Sequence, residues 1–259
     1  MILGIDVGNT NVTVGAFEGE RLSGEWRLAT DARKTADEYG AVLRQCLAHA
    51  GGFDAPEAVV VGSVVPALTP AFEELSRRYF GVEALVIDAA TPLGLKYKVD
   101  SPAEVGADRI LNALAALRLY GGPAIVLDFG TATTFDCVSK KGEYLGGAIL
   151  IGPQLASRAL SAGTAKLPEV EIRPTKRVIG RNTLECLQAG LYDGYLGMIE
   201  RVLRKSLREM GGKPRVLATG GLAGIYAAEL GIKVVPDLTL QGLRLAHALV
   251  GGGRKRKKT

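Results

Sequence analysis

Two short segments combine an aspartate, a glycine and several hydroxyl or amide side chains directly after an apolar run. The first reads Asp6-Val7-Gly8-Asn9-Thr10-Asn11, and the second reads Asp128-Phe129-Gly130-Thr131-Ala132-Thr133-Thr134. In such a turn the glycine lets the backbone approach a ligand closely, and the N–H groups, amides and hydroxyls can donate hydrogen bonds to phosphate oxygens. An aspartate at a strand end can supply carboxylate oxygens to a hard cation. The pattern therefore predicts two phosphate-binding turns, each with a candidate metal ligand.

A third glycine turn lies late in the chain, where Thr219-Gly220-Gly221 follows an apolar strand and opens a predicted helix. A helix N-terminus presents unpaired N–H groups and a positive dipole end, which suits an adenosine or phosphate contact. The sequence contains neither Gly-x-x-x-x-Gly-Lys-Ser/Thr nor Gly-x-Gly-x-x-Gly. It therefore argues against a P-loop nucleotidase and against a Rossmann dinucleotide site.

A candidate acid–base residue lies near the middle of the chain. Ser101-Pro102-Ala103-Glu104 has the form of a capping box with proline at the first helical position. This predicts Asp108 in the second turn, on the face of Glu104, with Arg109 about 100° further around the helix. The aspartate could take a proton from a substrate hydroxyl, and the arginine could bind a carboxylate through two hydrogen bonds. A solvated helix face with local ion pairs is the alternative that the residues alone leave open.

The elements that must position these residues occur twice along the chain. An interval of 122 residues separates Asp6 from Asp128, and the same interval separates Gly8 from Gly130. Each copy reads as strand, glycine turn, strand, second turn and strand, followed by alternating helices and strands. We therefore predict two duplicated α/β domains, at 1–118 and 119–250, each a mixed five-stranded sheet flanked by helices. Their glycine turns would face each other across an interdomain cleft.

Hydrophobic periodicity and capping signals locate the remaining elements. In the first half they predict helices near residues 35–50, 67–79 and 102–120, and strands at 58–62 and 84–88. In the second half they predict a long helix near 182–210, a strand at 215–219, a helix near 222–230, a strand at 233–235 and a final helix. The helix near 102–120 joins the two halves.

The 259-residue chain has a formal net charge of +5, and that excess is located at one end. Residues 254–258 are five consecutive cations behind three glycines, and the rest of the chain has 27 basic and 27 acidic residues. Like charges in a row repel each other, so residues 251–259 are predicted to be a disordered basic tail. A charge-balanced body argues against nucleic acid as a partner.

Other sequence features bear on the compartment. The three cysteines and two histidines show neither disulfide nor metal-ligand spacing. No signal peptide is visible, and no apolar run approaches the roughly 18–20 residues that a membrane-spanning helix needs. These observations predict a cytoplasmic protein without a membrane segment.

The duplicated domains, the paired Asp-x-Gly turns and the late Gly-Gly turn resemble the superfamily of acetate and sugar kinases, Hsp70 and actin. Within it, the sequence is similar to type III pantothenate kinases over essentially all of residues 1–250. The diagnostic match is Gly106-Ala107-Asp108-Arg109, which other members of the superfamily lack. The resemblance implies two ribonuclease-H-like (actin-like ATPase) domains. It also implies ATP-dependent phosphorylation of pantothenate to 4'-phosphopantothenate, the first step of coenzyme A biosynthesis.

The same resemblance implies a role for each motif. Asp108 would be the general base, and Gly106, Ala107 and Arg109 would contact pantothenate with it. Asp6 would be a ligand of Mg²⁺, and a monovalent cation, K⁺ or NH₄⁺, would lie near Asp128. The ATP-binding residues would be those of the three glycine turns: Asp6, Gly8, Asn9, Thr10, Asn11, Gly130, Thr131, Thr133, Thr134, Gly220 and Gly221.

The resemblance further implies a homodimer in which Thr183 contacts the substrate of the second subunit. A helix-capping role for Thr183 is a compatible alternative. One position departs from the family pattern, because many members have a tyrosine nine residues before the catalytic aspartate, where this chain has Val99. Tyr97 lies two residues earlier, on the same face of an extended segment. Whether Tyr97 takes the place of the missing tyrosine stays open.

Two other functions are compatible with the superfamily resemblance. One is a kinase for a different small molecule, such as a sugar or acetate, against which the Gly-Ala-Asp-Arg motif argues. The other is a non-enzymatic accessory factor in transcription. Such a factor would not need Asp108 or complete phosphate turns, and both are present in this chain.

Overall fold

The computed structural model describes residues 1–49 and 55–255, the last four of these by their backbone alone. Within these ranges the chain forms strands and α-helices in the following order: β1 (Ile2–Val7), β2 (Asn11–Glu18), β3 (Arg21–Ala29), α1 (Ala36–His49), β4 (Ala58–Ser63), α2 (Thr69–Leu75), β5 (Ala84–Ile87), β6 (Lys96–Tyr97), α3 (Ala107–Ala115), β7 (Ala124–Phe129), β8 (Ala132–Val138), β9 (Glu143–Ile151), α4 (Pro153–Gly163), α5 (Thr183–Ala189), α6 (Tyr195–Met210), β10 (Arg215–Thr219), α7 (Ala223–Glu229), β11 (Lys233–Val234) and α8 (Leu238–Lys255). Among these described helices, none combines the length and apolarity needed to cross a bilayer.

The chain divides into two compact units. The first comprises Met1–Leu95, Asp100–Arg118 and the chain from Asp237 onward, and the second comprises Lys96–Val99 and Leu119–Pro236. The predicted boundaries of 1–118 and 119–250 differ from this division at the last helix, α8, which lies in the first unit. The expected interdomain cleft stays a prediction.

The first unit is built on a five-stranded mixed sheet of order β3-β2-β1-β4-β5, as the sequence predicts. Strand β1 is antiparallel to β2 and parallel to β4. One face of the sheet packs on α1 and α2 through a buried apolar cluster that includes Leu3, Ile5, Val14, Tyr39 and Phe72. This face buries alternate residues of β1, in agreement with the two-residue period of a strand.

The other face of this sheet carries glycines that let α3 and α8 approach closely. A Cβ on Gly4 would lie 3.2 Å from a side-chain atom of Leu243, and one on Gly62 would lie 2.6 Å from Leu111. The two helices also pack on each other, because a Cβ on Gly242 would lie 2.4 Å from the carbonyl oxygen of Leu111. These contacts explain why the last helix of the chain belongs to the first unit.

The second unit contains a six-stranded sheet of order β11-β10-β7-β8-β9-β6, one strand more than predicted. The extra strand, β6, pairs in parallel with the outer strand β9. Residues 96–97 are too few to show an alternating pattern, so their pairing is not visible in the sequence. A buried aromatic cluster lies on one face of the sheet and includes Phe129, Phe135, Tyr192, Tyr195 and Tyr226.

Three further elements differ from the sequence predictions. The segment Pro153–Gly163 forms helix α4, which was not predicted. Its proline at the first helical position is a common signal of a helix start. The long helix near 182–210 is divided into α5 and α6 by a π-helical turn at Gly190–Gly194, which begins and ends with poor helix formers. Helix α8 continues to Lys255, so residues 251–255 are helical where disorder was expected, and residues 256–259 lie outside the described ranges.

Replacement of a helix glycine by alanine tests the packing of α3 on α8. Gly242→Ala places a methyl group against the Leu111 carbonyl, and overpacking of this kind costs about 1–3 kcal/mol, more than the helix-propensity gain of about 1 kcal/mol. The control is Gly197→Ala in α6, where the added Cβ meets open space. Calorimetric unfolding is expected to show a lower melting temperature for Gly242→Ala and an equal or higher one for Gly197→Ala. Equal effects of the two variants would contradict the close helix contact.

Candidate active site

The first glycine turn is closed by a backbone hydrogen bond at the end of β1. The Gly8 N–H donates to the carbonyl oxygen of Asn11 at 3.0 Å, and Val7 pairs with Val12 on the neighbouring strand. The side chains of Asn9, Thr10 and Asn11 are exposed, and Asp6 lies partly buried at the strand end. The turn therefore presents two amides and a hydroxyl to the surface, next to the carboxylate of Asp6.

Thr30 holds this turn from the end of β3, and the sequence analysis did not identify it. Its hydroxyl donates to the Gly8 carbonyl at 2.7 Å, and its N–H donates to the Thr10 carbonyl at 3.0 Å. Both carbonyls are thereby engaged by Thr30. Thr30 is 20 residues distant along the chain from Thr10. Only the pairing of β3 with β2 brings the two together, so no local signal could have indicated this contact.

The second glycine turn is one residue shorter than the first. The Gly130 N–H donates to the Ala132 carbonyl at 3.1 Å, and Phe129 pairs with Thr133. The 122-residue repeat therefore holds for the aspartate and glycine and changes by one residue after the turn. As a result, Thr133 takes the inward position that Val12 has in the first copy.

Thr133 is accordingly fully buried, and its hydroxyl accepts a hydrogen bond from the Tyr195 hydroxyl. Burial removes the donor role toward phosphate that the sequence predicted for it. Thr133 instead ties the turn to helix α6 beneath the sheet. Thr131 is partly buried at the turn. Thr134 is also partly buried and lies on the face of β8 opposite to Thr133.

The third glycine turn packs directly on the second. Thr219 pairs with Asp128 across the parallel strands β10 and β7. Gly220 has a φ of +92°, and a Cβ at this position would lie 2.5 Å from Asp128 Oδ1 and 2.7 Å from the Phe129 backbone. Only glycine combines this backbone conformation with this approach. The carboxyl ends of β7 and β10 therefore bring Asp128, Gly130 and Gly220 to one edge of the second sheet.

Asp108 lies at the start of α3, not in a second helical turn. Residues Pro102–Glu104 form a separate 3-10 turn without a side-chain cap from Ser101, and the α-helix begins at Ala107 after an extended Gly106. The prediction that Asp108 shares a helix face with Glu104 is therefore wrong. Gly106 is the extended residue before the helix, and a side chain is disfavoured there because a Cβ would lie 2.6 Å from Asp108 Oδ1.

The carboxylate of Asp108 is partly buried, and Oδ1 accepts the N–H of Arg109 at 2.7 Å. Burial raises the pKa of Asp108, and the backbone hydrogen bond and positive charge of Arg109 oppose this effect in part. A carboxylate with a raised pKa is a stronger base, which is the property that proton abstraction from a hydroxyl requires.

Asp108 and the first glycine turn lie at the same edge of the first sheet. The Val64 N–H, just after β4, donates to the Val7 carbonyl at 3.0 Å, and the Val64 side chain lies 3.3 Å from the Cβ position of Gly106. Deeper in α3, the buried Asn112 accepts a hydrogen bond of 2.8 Å from Thr239 of α8. The helix that carries Asp108 is thus fixed at both ends.

The remaining substrate candidates belong to the second unit. Tyr97 lies in β6 with its ring against Tyr144 at 6.1 Å between centroids, and Val99 Cγ1 is 3.3 Å from the Cβ position of Gly146. Thr183 is exposed at the first position of α5. The cap of that helix is Asn182, whose side chain accepts the Glu185 N–H at 2.9 Å, so the capping role falls to Asn182.

The described residues contain no group of three or more His, Cys, Asp or Glu side chains arranged to hold a metal. Asp6 and Asp128 are instead single carboxylates at strand ends. Such residues fit Mg²⁺, because this ion keeps several waters and is usually bound by one or two carboxylates together with substrate phosphates. The donor set is thus compatible with the metal that the sequence implies.

Comparison with known proteins places this geometry in context. The family model described as type III pantothenate kinase matches residues 2–205. A type III pantothenate kinase from Moorella thermoacetica is 51% identical over 95% of this chain and 98% of its own length, and one from Roseiflexus castenholzii is 49% identical over 96% and 99%. The solved activator of 2-hydroxyisocaproyl-CoA dehydratase from Clostridium difficile, with bound ADPNP, has a TM-score of 0.54 at 13% identity and covers 98% of this chain and 97% of its own. The last likeness concerns the fold alone.

Removal of the Thr30 hydroxyl tests the first turn. We expect Thr30→Val to weaken binding of a non-hydrolysable ATP analogue by a factor of about 2–13, because one hydrogen bond contributes roughly 0.5–1.5 kcal/mol. Thr30→Ser keeps the hydroxyl and serves as the matched control, with affinity near that of the wild type. Isothermal titration calorimetry measures both. Equal affinity of the valine and serine variants would show that the turn does not depend on this contact.

Proposed function

The chain belongs to the type III pantothenate kinase family, and we propose that it transfers the γ-phosphoryl group of ATP to the primary hydroxyl of pantothenate with Asp108 as the general base. The observation that carries the assignment of the base is the position of Asp108. It is a partly buried carboxylate with a raised pKa at a helix start, next to Arg109 and at the same sheet edge as the first glycine turn.

In this mechanism the Asp108 carboxylate accepts the hydroxyl proton while the hydroxyl oxygen attacks the γ-phosphorus and ADP leaves. Gly106 leaves room for the substrate next to the carboxylate, because it has no Cβ that would cover Oδ1 of Asp108. Arg109 is the candidate partner for the carboxylate of pantothenate, because a guanidinium binds a carboxylate through two parallel hydrogen bonds. Tyr97, Val99 and the exposed Thr183 remain substrate candidates.

Phosphate binding is assigned to the glycine turns. In the first unit, Gly8 and the side chains of Asn9, Thr10 and Asn11 supply donors to phosphate oxygens. In the second unit the candidates are Gly130, Thr131, Gly220 and Gly221. When bound, Mg²⁺ would neutralise charge on the β- and γ-phosphates, with Asp6 as its candidate ligand. Phosphate recognition then depends on backbone donors and hydroxyls, and not on the basic residues near the end of the chain.

We also propose a monovalent cation, K⁺ or NH₄⁺, next to Asp128. The carboxylate of Asp128 lies at the end of β7 between Thr219 on one side and Thr134 on the other. An arrangement of oxygen atoms around one negative charge suits a weakly hydrated cation. We also propose a cytoplasmic location, because no disulfide joins Cys46, Cys137 and Cys186.

The role of Asp108 is tested by Asp108→Asn. Loss of a general base typically slows a reaction by a factor of about 10²–10⁴, so turnover of pantothenate is expected to fall by a factor of at least about 10². Binding of an ATP analogue is expected to be retained. Glu104→Gln, an exposed carboxylate in the preceding 3-10 turn, is the matched control and should keep wild-type activity. Coupled detection of ADP release measures all three proteins, and an active Asp108→Asn enzyme would remove the assignment.

The pH dependence provides a second test of the same residue. A base must be ionised, so kcat/KM for pantothenate should fall as the pH decreases through the pKa of Asp108. Because burial raises that pKa, the acid limb should lie above the ordinary aspartate value. If Asp108→Glu leaves the pH of this acid limb unchanged, the limb belongs to the ionisation of another group.

A homodimer is the proposed assembly, and an exposed apolar surface of the second unit supports it. Val178 and Ile179 are 66% and 85% exposed, Leu184 follows next to Thr183, and Ile149 and Ile151 are exposed on β9. Exposed aliphatic side chains in this number commonly mark a protein interface. A second copy of the chain bound here would bring a partner to the segment that carries Thr183.

Ile179→Asp tests this assembly. The introduced aspartate would lose its hydration at an apolar interface without gaining a charged partner there. The variant is therefore expected to be a monomer where the wild type is a dimer. Val42→Asp on α1 is the control, because it makes the same change at an exposed valine of the first unit. Light scattering coupled to gel filtration should give twice 27.3 kDa for wild type and control. A monomeric wild type, or an unaffected Ile179→Asp dimer, would contradict the proposal.

A kinase for another small molecule is the second candidate. A substrate panel with ADP release as readout separates the two, since turnover of a sugar or acetate without turnover of pantothenate would overturn the assignment. A non-enzymatic factor would show no turnover with any member of the panel.

A further inference from the structure

A buried carboxylate lies next to the second glycine turn and has no role in the mechanism above. Asp136, on β8, is fully buried. Its Oδ2 accepts the hydroxyl of Thr134 at 2.9 Å, and its Oδ1 accepts the hydroxyl of the fully buried Tyr144 at 2.8 Å. Both distances are those of ordinary hydroxyl hydrogen bonds, so the protons of Thr134 and Tyr144 are directed at Asp136.

This bond decides what Thr134 can offer to a ligand. A threonine hydroxyl has one proton and two lone pairs, and here the proton is directed at Asp136. Turning this proton away would leave a buried carboxyl oxygen of Asp136 without its hydrogen bond, which is unfavourable. Thr134 therefore presents lone pairs to its other neighbours. It fits a cation or a hydrogen-bond donor, and it does not fit a phosphate oxygen, which needs a donor.

Thr134 is also placed next to the one carboxylate that the cation proposal uses. It pairs directly with Asp128 across the antiparallel strands β7 and β8. Paired residues on adjacent strands have their Cβ atoms about 4.5–5.5 Å apart on the same face of the sheet. On the opposite side of Asp128, Thr219 donates its hydroxyl proton to the Pro236 carbonyl at 3.4 Å. Both threonines beside Asp128 thus direct their protons away from it.

We infer that Thr134 supplies a neutral oxygen ligand to the monovalent cation next to Asp128, and that Asp136 is the positioning residue that fixes the Thr134 hydroxyl with its lone pairs outward. The inference rests on the cation site proposed above. It reverses the donor role toward phosphate that the sequence predicted for Thr134. K⁺ would be bound through the oxygen lone pair, and NH₄⁺ would donate a hydrogen bond to the same lone pair.

Four variants test the inference. Thr134→Val removes the oxygen and keeps the shape, whereas Thr134→Ser keeps the hydroxyl. Asp136→Asn replaces one of the two acceptor oxygens by an amide donor, so that Thr134 and Tyr144 can no longer both donate to this side chain. Tyr144→Phe removes the other hydrogen bond to Asp136 and leaves that of Thr134. Two quantities are measured: the rise in melting temperature in KCl against NaCl at equal ionic strength, with and without ADP, and the K⁺ concentration for half-maximal turnover of pantothenate.

We expect Thr134→Val and Asp136→Asn to lose most of the K⁺-dependent rise in melting temperature. They should also need about 10–100-fold more K⁺ for half-maximal turnover, the usual effect of changing a ligand or its supporting group. Thr134→Ser and Tyr144→Phe should respond to K⁺ as the wild type does. Tyr144→Phe is expected to lower the melting temperature equally in both salts, which separates a loss of stability from a loss of cation binding.

Several results would overturn the inference. A wild-type K⁺ response in Thr134→Val would show that its oxygen is not a ligand, and one in Asp136→Asn would remove the positioning role. A wild type that phosphorylates pantothenate equally in KCl and NaCl would overturn the inference and leave the kinase proposal standing. A wild type that does not phosphorylate pantothenate, but shows the expected pattern of K⁺-dependent melting temperatures, would overturn the kinase proposal and support the inference.

Discussion

The close approach of one backbone to another at glycine positions is the constraint on which both candidate centres depend. In the first unit, Gly62 and Gly242 let α3 lie close to both the sheet and α8. This packing determines the position of the helix start that carries Asp108. In the second unit, Gly220 lies so near Asp128 that any side chain would displace the carboxylate. Hydrophobic burial stabilises the two units as a whole, but the missing Cβ atoms locate the chemical groups within them.

The duplicated halves use the same meander for different purposes. Both turns are closed by a backbone hydrogen bond from a glycine N–H, yet the second is one residue shorter. Because side chains alternate across a strand, a change of one residue moves each following side chain to the other face. The hydroxyl of Thr133 is thereby placed in the core, and Thr134 and Asp136 are placed on the face of Asp128.

Local signals were sufficient for every described strand except β6, for the glycine turns and for the residues at their tips, such as Asn9 and Gly130. They failed where tertiary contacts decide. The Ser101 capping box was outweighed by Gly106, whose proximity to Asp108 is a property of the folded helix start. Thr30, the sheet partner of Tyr97 and the unit to which α8 belongs all depend on pairing between distant segments. The donor or acceptor role of a threonine hydroxyl toward a ligand also could not be predicted from local signals. It depends on the buried acceptor that the hydroxyl contacts in the folded protein.

The return of the last helix to the first unit has a consequence for biosynthesis. During translation the chain emerges from its N-terminus, and the first sheet is complete once β5 has left the ribosome. Its glycine-bearing face, however, is covered by α8, the final helix. The second unit, whose residues end at Pro236, has its full set of strands and helices before that point. The unit whose sheet is made first therefore receives its last helix after the second unit is complete, and the part of the sheet face that α8 covers stays exposed until this helix has been made.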